Sequence, residues 1–255
     1  MTQILVIAKE PLPGRVKTRL CPPCTGEQAA RLAAAALEDT LRTVAATRAP
    51  YRVLALQGLP GPWLPPGFTV IPQRGRGLDE RLAAAFTDAH RLHPVPTVLV
   101  GMDTPQLTPS LLHAASDALT WHDAVYGPAE DGGFWLLGLR RPDPALLLGV
   151  PMSQPGTGAA QLGRLRQAGL TTAFLPELRD VDTFADACHV AARAPATRFA
   201  ATLAAVRGSM AAGHAGEGDA GAESRPAGPP DPRAVLTPQK PQAMTVRDAA
   251  VSAGP

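Results

Sequence analysis

The stretch from Pro96 to Thr108, PTVLVGMDTPQLT, constrains this chain more than any other. Val98, Leu99 and Val100 form a short apolar run without helical period, as a strand covered on both faces does. Gly101 lets the chain turn, Pro105 forbids helix, and Asp103 is left at the strand's carboxyl end. Thr108 before Pro109 reads as an N-cap and first helical position. In open parallel α/β sheets the ligand crevice lies outside the carboxyl ends of the strands. A carboxylate placed there is positioned to hold a cation against a phosphate, although an Asx-turn that only shapes the loop would use the same residue.

The rest of the chain repeats the strand-then-helix pattern. Ile4–Ala8, Tyr51–Leu56, Phe68–Ile71, Ala124–Gly127, Phe134–Leu139 and Thr171–Leu175 read as strands. Helical stripes run through Leu32, Ala36, Leu37, Leu41 and Val44, and through Leu78, Leu82, Ala85, Phe86 and Ala89. Further helices are expected over 108–119, 157–168, 183–193 and 196–206. Thr25 with Gln28, and Thr183 with Asp186, have the spacing of capping boxes. Such alternation predicts βαβ units, a mostly parallel sheet and a three-layer αβα architecture. A length of 255 residues suits one such domain, placed at 1–206. From Gly208 onward, 48 residues hold seven Gly and seven Pro and no Phe, Tyr or Trp. They cannot bury enough surface to offset ordering entropy, so 207–255 is expected to be a disordered tail.

Composition removes several classes. A net charge of +2, without a basic stripe interleaved with aromatics, argues against a nucleic-acid partner. No apolar run approaches the roughly 20 residues of a membrane span. Ile4-Leu5-Val6-Ile7 follows the start directly, without a basic n-region, and reads as core strand rather than signal peptide, so a cytoplasmic location is expected. Three cysteines make no disulfide framework, and Cys21-Pro22-Pro23-Cys24 lacks the second ligand pair of a structural zinc site. No histidine accompanies a Gly-x-Ser-x-Gly elbow, which disfavours a serine hydrolase.

The chemistry gathers in a few loops. Lys9, Arg15, Lys17 and Arg19 crowd a segment in which Pro11, Pro13 and Gly14 restrict the backbone, just after the first strand. Like charges about 4 Å apart at an effective dielectric of 20 repel by ~4 kcal/mol, so a pyrophosphate or triphosphate between them would offset the crowding. A solvated basic loop is the plain alternative. The loop is neither a P-loop nor a Gly-x-Gly-x-x-Gly fingerprint. Asp182 follows another short strand and, with Asp103, would supply the one or two carboxylates that Mg²⁺ (or Mn²⁺) takes beside phosphate oxygens; alternatively Asp180 or Asp182 caps the next helix. Asp131 lies in Glu130-Asp131-Gly132-Gly133, where glycines allow close approach to a ligand or simply make a turn. Gln73 and Gly77 are candidates for the border of the nucleotide base, with Arg81 the more ordinary solvated helix residue.

Four of these segments, in order, resemble a bacterial family: Ala8-Lys9 with Pro13-Gly14-Arg15-Val16-Lys17-Thr18-Arg19-Leu20, Gly101–Leu107, Gly127–Phe134 and Asp180-Val181-Asp182-Thr183. Its members have the GT-A-like nucleotide-diphospho-sugar transferase fold and are labelled glycosyltransferases of the arsenosugar-biosynthesis type. The family is similar to the phospholactate guanylyltransferases, whose first loop also carries a Lys-(Thr/Ser)-Arg-Leu stretch. The resemblance covers about residues 3–193. It implies metal-assisted transfer from a nucleotide-activated donor, with Asp103 and Asp182 as metal-binding acids and Lys9, Gly14, Arg15, Lys17 and Arg19 in the phosphate-binding loop. Asp103, Lys17 and Asp131 are then the catalytic candidates. Met102, Phe134-Trp135 and the Pro22-Pro23 insertion depart from the pattern. Three functions are expected to compete: glycosyl transfer from a nucleotide sugar to a small acceptor, nucleotidyl transfer from a nucleoside triphosphate to a phosphorylated acceptor, and nucleotide binding without catalysis.

Overall fold

The first strand, β1 (Gln3–Lys9), is buried along almost its whole length and lies third in a seven-stranded sheet, next to its central strand. The computed structural model describes residues 1–217, and side chains to residue 212. On one side β1 pairs in parallel with β2 (Tyr51–Gln57), which pairs with β3 (Thr69–Pro72). On the other it pairs in parallel with β4 (Thr97–Val100), so that Val6 lies opposite Val100. Beyond β4 the order is β6 (Phe134–Leu139), β5 (Ala124–Pro128) and β7 (Thr172–Phe174). β6 runs antiparallel to both its neighbours, and the β5–β6 pairing carries an irregularity at Gly127/Pro128. The chain works outward from β1 to β3, then returns to place β4 on β1's other flank. That reversal opens a crevice at the carboxyl ends of β1 and β4, which is where doubly wound sheets take their ligands.

Helices cover both faces. α1 (Gly26–Ala45) and α3 (Pro109–Trp121) bury Leu37, Leu41, Leu112 and Leu119 against Ile4, Val6, Val98 and Val100. α2 (Leu78–Leu92) packs Leu82, Phe86 and Ala89 on the opposite face, against Leu5, Val53 and Leu99, and α4 (Thr157–Gln167) adds Leu165. Alternate residues of each central strand therefore feed two different cores, which is why these runs are apolar throughout. A third cluster joins the outer side of α1 to α5 (Phe184–Arg193) and α6 (Arg198–Glu217) through Leu32, Val190, Phe199 and Leu203. The three-layer αβα expectation and the GT-A-like fold class hold, with one strand reversed.

The caps explain where the helices start. The Thr25–Gln28 and Thr183–Asp186 capping boxes are both formed, and Thr108 Oγ1 accepts from the Leu111 N–H. The start of α6 is capped from a distance, Asp39 of α1 accepting from the Arg198 and Phe199 N–H groups at 3.1 and 2.8 Å. α6 continues past residue 206, where the domain was expected to end. The remainder of the expected tail, 218–255, lies outside the described residues.

Candidate active site

A cavity of about 910 Å³ opens at the carboxyl edge of the sheet. The loops after β1, β4 and β5 and the segment after β7 all reach it, bringing Lys9, Arg15, Lys17, Arg19, Asp103, Asp131, Asp180 and Asp182 to its wall. Lys17 is the centre of the group. Its side chain is only 8% exposed, and its Nζ lies 2.6 Å from Asp103 Oδ1 and 3.7 Å from Asp182 Oδ1 while donating to the Val181 carbonyl. The backbone at Lys17 is left-handed (φ 51°, ψ 35°), a conformation rare for a side chain with a Cβ, and it turns the ammonium inward between the acids. Arg19 Nη1 meets the other oxygen of Asp182 at 3.1 Å.

The segment carrying Asp182 is held from several sides. The Val181 N–H donates to the Asp103 carbonyl, and Gln106 Nε2 donates to the Arg179 carbonyl at 2.6 Å. The Arg179 guanidinium pairs with Glu130 and Asp186, tying the segment to the loop after β5. Neither Asp180 nor Asp182 provides the cap of α5, because Thr183 and Asp186 fill that role. Asp180 is the acid that sequence reasoning did not separate from a cap. Its Oδ1 is shut off from solvent and has no hydrogen-bond partner. Burial, and then the neighbouring charge of Asp103, push this carboxyl up to about 7, against the opposing pull of Lys17.

The other expected residues divide. Lys9 and Arg15 line the cavity and make no ion pair among the described residues. The crowding of cations is relieved in part by Asp103 and Asp182, so the loop does not depend on an anion alone, as the charge count had suggested. Asp131 lines the cavity and its Oδ1 also accepts from the Gly133 N–H at 2.9 Å, closing a turn. Gly132 (φ 86°) is glycine for packing, since a Cβ there would sit 2.2 Å from the Pro155 carbonyl oxygen. Gln73 lines the cavity, but its amide nitrogen is spent on the Ala8 and Ala55 carbonyls at 2.6 and 3.0 Å. Gly77 is the N-cap of α2 and, like Gly14 (φ 71°), shapes its loop without lining the cavity. Arg81 does line it, with hydrogen bonds to Gln57 and the Arg76 carbonyl.

Sequence reasoning missed the wall formed by Met152, Ser153, Gln154 and Thr157. A polar turn ahead of α4 was its only signal. Two of the departures from the family pattern, Met102 and Trp135, have local reasons. Met102 Sδ accepts from the Lys9 N–H, joining the ends of β1 and β4, and Trp135 donates to the Pro176 carbonyl beside Gly127, whose missing Cβ leaves room for the ring. Burial, then Cys21 and Cys188, push the Cys24 thiol up, opposite to what a reactive thiol needs.

Among the described residues, no cluster of three or more His, Cys, Asp or Glu is drawn together as a metal cage. The chemistry of the acids nevertheless fits a hard divalent ion. Two carboxylates and a backbone carbonyl converge on one ammonium nitrogen, and Asp180 keeps an unpartnered oxygen at the same wall.

Residues 29–154 match the family described as uncharacterized protein conserved in bacteria (DUF2064). A solved structure from Desulfovibrio desulfuricans G20, provisionally assigned as a nucleotide-diphospho-sugar transferase, is 31% identical over 71% of this chain and 82% of that one, with a TM-score of 0.66. The chain belongs to the same family as this Desulfovibrio protein. More distant likenesses include CMP:2-keto-3-deoxy-manno-octonic acid synthetase complexed with CTP (15% identity, 76% of this chain and 97% of that one, TM-score 0.46). Another is Rv0371c of Mycobacterium tuberculosis H37Rv in complex with manganese (20% identity, 74% and 97% coverage, TM-score 0.44). No curated protein matches this chain. None of its described helices is long and apolar enough to cross a membrane.

Proposed function

We propose that this protein is a metal-dependent glycosyltransferase that moves a sugar from a nucleoside-diphosphate donor to a small acceptor. The enzyme is a transferase, in keeping with its kinship to the Desulfovibrio protein and the fold they share. The observation that carries the reading is the meeting of Asp103, Asp182 and Lys17 in a cavity whose rim holds Lys9, Arg15 and Arg19. Asp103 and Asp182 would hold Mg²⁺ or Mn²⁺, which supplies Lewis-acid neutralisation of a diphosphate and a template for it. The basic loop binds the phosphates and stabilises the charge that grows on them as the bond to the sugar breaks. Asp131, which also lines the cavity, is the candidate to orient the acceptor hydroxyl or receive its proton. The resemblance to glycosyltransferases of the arsenosugar-biosynthesis type supports the sugar-transfer form of this reading.

A second reading rests on the four cations that the loop after β1 brings to the cavity, Lys9, Arg15, Lys17 and Arg19, a number suited to a triphosphate. The enzyme would then move a nucleotidyl group to a phosphorylated acceptor and release pyrophosphate. Incubation with Mg²⁺ and panels of nucleotide sugars, nucleoside triphosphates and acceptors separates the two. Release of a nucleoside diphosphate is the expected result, and release of pyrophosphate from a triphosphate would replace sugar transfer with nucleotidyl transfer. Tight nucleotide binding in calorimetry without turnover on any acceptor would leave a non-catalytic binding protein.

A further inference from the structure

The position of Lys17 does not match that of a simple phosphate ligand. A lysine waiting for phosphate gains from solvent, where its long stem samples freely. This one is almost wholly withdrawn, its backbone is held left-handed, and its ammonium is met by Asp103 Oδ1, Asp182 Oδ1 and the Val181 carbonyl. Those are the oxygen donors a hard divalent ion takes, gathered from the two segments that carry the proposed metal acids. The same two carboxylates cannot hold a monovalent ammonium and a divalent ion together without strong repulsion between the cations. The cavity offers the ammonium somewhere else to go only when an anion fills it, beside Lys9 and Arg15.

Resting on the reading that Asp103 and Asp182 bind the metal, we propose that Lys17 is the resident cation of the divalent-ion site and is drawn off it by an incoming polyphosphate. Ion and polyphosphate then load as a unit. The ammonium moves from carboxylates to phosphate as the metal takes its place, and no proton or covalent bond changes hands. Without a polyphosphate the site stays closed by its own side chain, so the two ligands bind with positive coupling.

The test is calorimetric titration of Mn²⁺ alone into the full-length protein and into Lys17→Met and Lys17→Gly. Glycine suits the left-handed backbone, so the pair separates loss of the ammonium from distortion of the loop. Both variants are expected to bind Mn²⁺ about tenfold more tightly than the wild-type protein, within the usual range of couplings between sites. Mn²⁺ should also raise their melting temperatures more than it raises the wild type's. Adding Asp103→Asn to Lys17→Met should remove the tightening. Unchanged or weaker Mn²⁺ binding in both variants would overturn the gate. The underlying metal reading has a separate check, Mn²⁺ binding to the wild-type protein in the presence of inorganic pyrophosphate. Insensitivity of that binding to Asp103→Asn would overturn the metal site itself, and the gate with it.

Discussion

The sheet has a hollow at each end, and the two are unlike. At the carboxyl end of the strands lies the 910 Å³ cavity, where a withdrawn lysine touches two acids and a third acid keeps an unpartnered oxygen. At the amino end lies a hollow of about 460 Å³ lined by Met1, Arg48, His113 and Asp117 among others. It too has a cation and an acid, and it adds a histidine. There, however, His113 Nε2 accepts from the Arg48 backbone N–H, so the imidazole acts as a clip for the turn between α1 and β2. Concavity and charged residues are common to both ends. What separates them is a buried ammonium set between acids and a buried carboxylate oxygen without a partner, which are costly to assemble unless a ligand makes use of them.

The largest expected effect breaks the comparison at its strongest point. Asp103→Asn keeps shape and hydrogen bonding but removes one of the two charges facing Lys17. Turnover should fall by more than about 100-fold, beyond the range typical of groups that only support a metal ligand. The melting temperature should stay within a few degrees, since Asp103 is 41% exposed and its pair with Lys17 is only half-desolvated. Full activity in a steady-state assay would remove Asp103 from the site. Next in size is Arg15→Gln. Arg15 has no carboxylate partner among the described residues, so its charge is available to phosphate. Loss of one charge-assisted contact of about 1.5–3 kcal/mol predicts a roughly tenfold or larger rise in the donor's KM, with a smaller change in kcat. An unchanged KM would make Arg15 a solvated bystander.

Asp180→Asn sharpens the contrast through stability. The folded protein raises this carboxyl from its usual range to about 7. A carboxyl whose folded pKa lies above its unfolded value contributes stability that is present below about pH 4 and is lost as pH rises through 7. Relative to wild type, the Asn variant should therefore be more stable at pH 8, by about 1–3 kcal/mol, and the gain should shrink towards pH 5. On a domain of this size that is several degrees in melting temperature, measured with chelator present. A gain independent of pH would show that the orphaned oxygen, and not the buried charge, is what the fold carries at a cost. Stabilisation with loss of turnover is the pattern of a residue kept for function.

Much of this molecule was legible before its coordinates, for local reasons. Thr25–Gln28, Thr108–Pro109 and Thr183–Asp186 announce helix starts because capping is decided within four residues. Asp103 was legible because a buried strand, a glycine and a proline fix its place at a sheet edge. What escaped depends on residues far apart in the chain. Nothing near β6 says that it inserts antiparallel between β4 and β5, and nothing near α6 says that Asp39 caps it from α1. Gln73 looked available for a base until the ends of β1 and β2 claimed its amide. Lys17 was legible as a cation and illegible as a partner of Asp103 and Asp182, because the three meet only after the sheet has formed.

The smallest expected effect tests the quiet end of the sheet. His113 contributes one hydrogen bond, 3.3 Å from the Arg48 nitrogen to its Nε2, at a half-buried position on α3. His113→Ala leaves that N–H to water, so the loss should be at most about 1 kcal/mol, or roughly 2–4 °C in melting temperature. Turnover should stay within about twofold of wild type, because the hollow at this end meets none of the loops that carry Asp103, Lys17 or Asp182. A loss of turnover comparable to that of Asp103→Asn, with stability intact, would show that the amino end of the sheet takes part in the chemistry. The asymmetry between the two ends would then no longer locate the active site.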